Sequence, residues 1–242
     1  MRISSLGRHL REQNWLAVFL DLSMIVLGVF LGIRANEWNE SKKLRKLENT
    51  YVDRIKEDIR VSIEVNQRNI INMFRYAEDA TIVIQSLEKC NIDEFERERF
   101  AAGLFSIGKI NPPYMMNGTV TELISTGKYD IIQNIDLRSK IADLTQTVES
   151  NLSLESQISG RVTPHVNYIE SRIRFNIQNP IQGSGNPAWP NLKFELSELC
   201  SDEKFQSSVS AARAMTYTVI KANQDILTKQ KSIRKLINEN TQ

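Results

Sequence analysis

The stretch "WLAVFLDLSMIVLGVFLGI", residues 15–33, constrains this chain more than any other part of it, because an unbroken apolar run of that length has few homes. As a helix it rises roughly 28 Å, close to the ~30 Å hydrocarbon thickness of a bilayer. Trp15 and Trp38 flank it as interface anchors, and Arg11 and Arg34 bracket its charged limits, the dressing expected at two membrane–water interfaces. The competing reading is a cleaved secretory signal, since residues 1–14 form a basic tail ahead of the run. The run exceeds a usual signal core and contains Asp21, and a cut after Ala35 would leave Ile33 and Arg34 in poor places, so a transmembrane helix is the expectation.

An aspartate at mid-membrane costs about 2.5–3.5 kcal/mol and less near one end, so its surroundings should shelter it. Asn14, Asp21, Gly28 and Ala35 recur every seven residues, with Ile25 and Gly32 between them at helical spacing, so these six side chains share a face. Gly28 and Gly32 form a GxxxG, which lets two helix backbones approach closely. The opposite side is Leu, Val and Phe. The alternative is a chance GxxxG with Asp21 snorkelling to the nearer headgroups; association through the small and polar face is favoured.

Orientation is less constrained. Arg2, Arg8 and Arg11 precede the run, while Arg34, Lys42, Lys43, Arg45 and Lys46 follow it, which by count slightly favours a cytoplasmic C-terminal side. The downstream cations are interleaved with Glu37, Glu40 and Glu48, and long domains translocate largely regardless of charge, so an inner (cytoplasmic) membrane protein with most of its chain extracytoplasmic is expected.

After the run, residues 41–89 contain neither Pro nor Gly, and apolar residues recur in steps of three and four from Leu44 and Leu47 through Ile55, Ile63 and Met73 to Leu87. This predicts a long amphipathic helix of coiled-coil character, continuous with the anchor or nearly so, although Asn66 and Asn69 interrupt its apolar stripe. Short helices are expected within about 93–126, broken by the extended "NPPY", and long ones over about 135–176 and 202–237. Asp136 or Asn134 caps the first of these, Ser201 or Asp202 the second, and Gly160 with Pro164 predicts a kink or break. "NPIQGSGNPAWPN" is a loop by composition, with Trp189 expected to pack on the bundle. Strand alternation is absent over any length. The predicted fold is all-α: a basic tail (1–14), one transmembrane helix (15–33) and an antiparallel helical bundle (34–242).

Chemistry is harder to find. The chain carries 31 basic and 29 acidic residues, net +2, mixed along its length, so no surface for neutralising nucleic acid phosphates is implied. Cys90 and Cys200 lie in no CxxC and near no His; two buried free thiols are expected, with a single bridge in an oxidising compartment as the alternative. His9 and His165 lack ligand neighbours at metal-binding spacing. No phosphate-binding loop, dinucleotide fingerprint, nucleophile elbow or zinc-protease motif is present, so neither a catalytic constellation nor a cofactor or metal site is indicated. Glu94, Glu96 and Glu98 alternate with Arg97 and Arg99 as a solvated helix face.

The segment "LDLSMIVLGVFLGIRANEWNESKKLRKLENTYVDRIKEDI" resembles a bacterial family known as domain of unknown function 6090. The likeness lies in Asp21, Gly28, Gly32, Trp38, Asn39, Glu40, Tyr51, Lys56, Glu57 and Asp58, and in a later stretch with Glu122, Leu123, Gly127, Ile132, Asn134, Leu137 and Arg138. Aspartate stands here where the family has an intramembrane glutamate. The resemblance implies a bacterial single-pass membrane protein without assigned activity. The expected function is a membrane-anchored interaction or ligand-sensing module. Its partners would be the lipid bilayer, further copies or other membrane helices, and a protein partner for the bundle. The alternative is a subunit of an ion- or proton-coupled complex using Asp21.

Overall fold

A computed structural model describes residues 15–175 and 192–240, with the side chains of residues 15–18, 21, 175 and 240 outside the description. Asn14 and Trp189 therefore lie outside the described residues. Among the described residues the fold is all-helical apart from one short strand pair. A single helix, α1 (Trp15–Lys89), takes in the apolar run and the amphipathic segment without a break. Good helix formers, the absence of Pro and the exposed pairs of Arg60 with Glu57 and Glu64 favour this continuity, each pair by a few tenths of a kcal/mol. The helix closes through a left-handed turn. Asn91 N–H donates to the Ser86 carbonyl (3.1 Å), Cys90 N–H to that of Leu87 (3.2 Å), and Cys90 takes φ 46°.

Beyond it come α2 (Arg97–Ser106), α3 (Gly118–Ser125), α4 (Ile135–Arg172), β1 (Arg174–Phe175), β2 (Leu192–Lys193), α5 (Leu196–Ser201) and α6 (Glu203–Asn240). The strands pair antiparallel, Arg174 opposite Lys193. Two glycines decide the path between α1 and α3. A Cβ on Gly103 would stand 2.5 Å from the Asp79 carbonyl oxygen, so glycine lets α2 lie directly on α1. Gly108, at φ 73°, turns the chain from α2 into a strap over residues 109–117 that is neither helix nor strand.

The chain divides into two compact units, Met1–Tyr51 and Val52–Gln242. In the second, α6 runs against both other long helices. Its Gln230 and Arg213 meet Asn66 and Thr81 of α1, and its Ser232 and Ser208 meet Lys140 and His165 of α4. The C-terminal part of α1 and α4 then run in the same direction, which corrects the simple antiparallel bundle of the sequence reading. The strap is the reason: it carries the chain back along α1 before α4 begins. One apolar cluster gathers Val83, Leu87, Phe100, Leu104, Ile169, Leu199 and Phe205, another Ile70, Met73, Ile158, Val162 and Val219. Each fully buried side chain of this size contributes about 1.5–3 kcal/mol. Leu44 and Leu47, expected on the same stripe, are exposed.

Asn134 caps α4, accepting from Leu137 N–H at 2.9 Å, and Asp202 caps α6, accepting from Phe205 N–H at 2.9 Å. Of the kink or break expected at Gly160 and Pro164, the break is not found, since α4 is helical through both. Both residues are exposed, so solvent can serve the Gly160 carbonyl that Pro164 leaves without a donor.

Candidate functional site

Between positions 19 and 33 every large apolar side chain described is more than half exposed, from Phe19 and Leu20 to Leu31 and Ile33. They point all round the helix. Of the shared face read from the sequence, Ile25 and Ala35 are exposed, and a Cβ on Gly28 or Gly32 would meet nothing within 4 Å. Trp15 and Asp21 have helical backbones, but their side chains, like all of Asn14, are outside the description. Counted over its described side chains, no helix is long and apolar enough to cross a membrane. The side chains of Trp15, Leu16, Ala17, Val18 and Asp21 lie outside the description, and what is described of the expected transmembrane helix is an exposed apolar segment within α1. Trp38 is exposed, with the Lys42 ammonium 3.6 Å from a ring centroid, and the Arg34 guanidinium lies 5.3 Å from the Phe30 centroid.

The bundle carries a polar stripe whose purpose is not visible in the sequence. Along α1, Asp58, Ser62, Asn66, Asn69 and Met73 stand one turn apart and bond in reverse order to the strap and the start of α3. Thr119 N–H donates to the Asp58 carboxylate (3.2 Å) and Met116 N–H to the Ser62 hydroxyl (2.8 Å). Tyr114 N–H donates to Asn66 Oδ1, and Asn66 Nδ2 donates to the Tyr114 carbonyl, both at 2.8 Å. Asn69 Nδ2 donates to the Pro112 carbonyl (3.3 Å), and Asn111 N–H reaches Met73 Sδ (3.4 Å). From the other side, α6 gives Gln230 Nε2 to the Tyr114 carbonyl (3.0 Å) and Asn223 Nδ2 to that of Asn111 (2.9 Å). A helical turn rises ~5.4 Å and two extended residues ~6.6 Å, so an extended chain can meet one side chain per turn. Asn66 and Asn69 interrupt the apolar stripe because they hold backbone that no strand or helix satisfies. Steps of three and four between small polar residues on an otherwise apolar face were the available signal.

At the other end of the bundle Cys90 and Cys200 form a disulfide, Cα–Cα 5.6 Å, which overturns the expectation of free thiols. Beside it the Asp202 carboxylate accepts from the Tyr168 hydroxyl (2.8 Å) and pairs with Arg172 (3.1 Å). Burial alone would raise the Asp202 pKa; the Tyr168 hydroxyl, the Phe205 amide and Arg172 outweigh it and hold the group below the usual carboxylate range. The same hydrogen bond to Asp202 raises the Tyr168 phenol. This arrangement ties α4 to the cap of α6. His165 Nδ1 sits 3.2 Å from the Ser208 hydroxyl, with no acid completing a nucleophilic triad among the described residues. Among the described residues no group of three His, Cys, Asp or Glu side chains is placed to hold a metal ion. Among the described residues, one groove along α6 is lined by Lys231, Arg234, Lys235 and Glu239, and another lies between α1 and α6 (Leu87, Glu88, Gln206).

No protein-family model, curated protein or solved structure matches this chain, so the family resemblance rests on the residues named for it.

Proposed function

We propose that this chain is a single-pass protein of the bacterial inner membrane. In this reading copies associate through the apolar segment of α1, and the helical bundle is an extracytoplasmic interaction or ligand-sensing module. One observation carries it: the large apolar residues from Phe19 to Ile33 are exposed around the whole helix. A helix apolar on every side needs an apolar surrounding, and nothing described in its own unit supplies one. Gly28 and Gly32 favour a neighbouring helix within that surrounding. Glycine inside an exposed helix costs about 1 kcal/mol against alanine, and open space at both positions is what a close-packed partner would use. Asn14, Asp21, Ile25 and Ala35 complete the proposed face, with Trp15 and Trp38 at its two interfaces.

The compartment follows from weighing two opposed signals. Basic residues after the run slightly favour a cytoplasmic bundle, whereas the Cys90–Cys200 disulfide favours an oxidising compartment. The bridge is the stronger, because thiols are kept reduced in the cytosol, while charge beyond a short loop steers orientation weakly. The bacterial source rests on the family resemblance.

Sedimentation of the full chain in neutral detergent tests the association. Gly28→Ile should weaken self-association at least about ten-fold, the effect of losing ~1.4 kcal/mol of close packing, while retention in carbonate-washed membranes is unchanged. Asp21→Asn should keep the association, since an amide still hydrogen-bonds between helices. A chain monomeric in detergent and in lipid whatever stands at position 28 ends the reading.

A further inference from the structure

We propose that the first turns of α1 beyond its apolar segment bind the phosphate of an anionic phospholipid, with Arg34 and Lys42 as the cations and Trp38 as the aromatic seat between them. This rests on the membrane-anchor reading and deepens it, by naming a lipid class and the residues that select it. Phe30, Arg34, Trp38 and Lys42 succeed one another at i, i+4 and so form one ridge on the helix. On that ridge the Arg34 guanidinium lies 5.3 Å from the Phe30 ring centroid and the Lys42 ammonium 3.6 Å from that of Trp38. Helical side chains lean toward the N-terminus of their helix. Both cations accordingly fold back over aromatic rings that precede them, toward the apolar segment and away from its far side.

The level is right for a headgroup. At ~1.5 Å per residue Trp38 stands roughly 7.5 Å past Ile33 along the axis, and Lys42, folded onto its ring, brings its ammonium to the same height. The polar layer on each side of a bilayer is about 5–7.5 Å thick. Charge gives the sign of the ligand. Over residues 34–48 the cations Arg34, Lys42, Lys43, Arg45 and Lys46 outnumber the carboxylates Glu37, Glu40 and Glu48. Arg34 shares its charge with Glu37 (3.1 Å) and Lys43 pairs with Glu40 (3.2 Å), whereas Lys42 and Arg45 have no carboxylate partner among the described residues. Trp38 is 65% exposed, so its other face and edge are open to a lipid. A zwitterionic headgroup brings its own cation to this level; an anionic one, in either leaflet, brings net charge that the ridge draws by simple Coulomb attraction.

The test uses the full chain with Trp15→Phe and Trp189→Phe, leaving Trp38 as the fluorophore. It is reconstituted into phosphatidylcholine vesicles containing about a fifth phosphatidylglycerol, whose headgroup supplies the net negative charge that basic residues near a membrane surface attract. Bromine is carried near the top of the acyl chains either by the phosphatidylglycerol or by an equal fraction of the phosphatidylcholine. Quenching by the brominated phosphatidylglycerol should be about five-fold stronger, and Arg34→Gln with Lys42→Gln should bring the two lipids level. Flotation with pure phosphatidylcholine vesicles should be the same for both proteins. Equal quenching in the protein with Arg34 and Lys42 intact overturns the lipid assignment, and a preference that survives the double substitution overturns the residues. A chain that does not float with phosphatidylcholine overturns the membrane reading, and this inference with it.

Discussion

Asn66 sits where the hydrophobic spacing of α1 asks for an apolar side chain, and it is wholly buried. Its amide bonds both backbone groups of Tyr114 and donates to Gln230 Oε1 at 3.0 Å; the Tyr114 carbonyl also accepts from Gln230, so the Tyr114 N–H and Gln230 Oε1 are the two groups that depend on it. Removing one partner of a buried bond leaves the other unsatisfied, which costs more than the bond itself contributed. Asn66→Ala should therefore lower unfolding stability by about 2–4 kcal/mol. Asn69→Ala, whose longer bond to Pro112 is exposed, should cost about 0.5–1 kcal/mol. Denaturant midpoints at unchanged m-value measure both; equal effects would mean that the strap is held by its apolar contacts and not by the amide ladder.

At the scale of elements, α6 depends on how it starts. Asp202 closes its first turn and joins Tyr168 and Arg172 of α4, so one carboxylate serves both as helix cap and as inter-helix tie. Its folded-state pKa is lowered, burial being outweighed by the Tyr168 hydroxyl, the Phe205 amide and Arg172. A depressed carboxylate contributes stability that is present above its unfolded pKa, about 3.9, and is lost as pH falls through the lower folded value. Stability should fall on acidification below about pH 4, and Asp202→Asn, which can still cap the helix, should flatten that part of the profile. Thermal unfolding followed from pH 6 down to pH 2 reads this directly, and an unchanged slope in the variant would assign the acid sensitivity to other carboxylates.

The bundle as a whole is closed by one covalent link between residues 110 apart in sequence. A loop of about that size is worth ~4.7 kcal/mol in the chain-entropy model, with 2–4 kcal/mol typical of measured bridges. Cys90→Ser with Cys200→Ser should lose about 2–4 kcal/mol, and a reductant should then have no further effect. Cys90 also occupies φ 46°, where glycine is at ease and other residues are not. Cys90→Gly with Cys200→Ser should accordingly recover about 1 kcal/mol of the loss. Denaturant unfolding with and without reductant checks both, and a parent protein indifferent to reductant would sink the role given to the bridge.

Helix type and extent were legible locally. The three-and-four spacing from Ile55 to Leu87 and from Phe205 to Ile233 predicts helices whose apolar residues are indeed core, because a helix displays its periodicity within a few turns of itself. Caps at Asn134 and Asp202 were equally readable, since a cap acts on amides three residues away. The exposed apolar segment of α1, with Gly28, Gly32 and Trp38, was visible from composition and spacing alone. The break at "NPPY" was readable too, but where that strap docks, the shared direction of α1 and α4, and the choice of a Cys90–Cys200 bridge over free thiols were not. Asn66 meets Tyr114 across 48 residues and Gln230 across 164; its spacing marks it as facing inward, but no local pattern names the distant backbone it will clamp. Those pairings exist only once burial has removed the solvent that would otherwise satisfy the same groups.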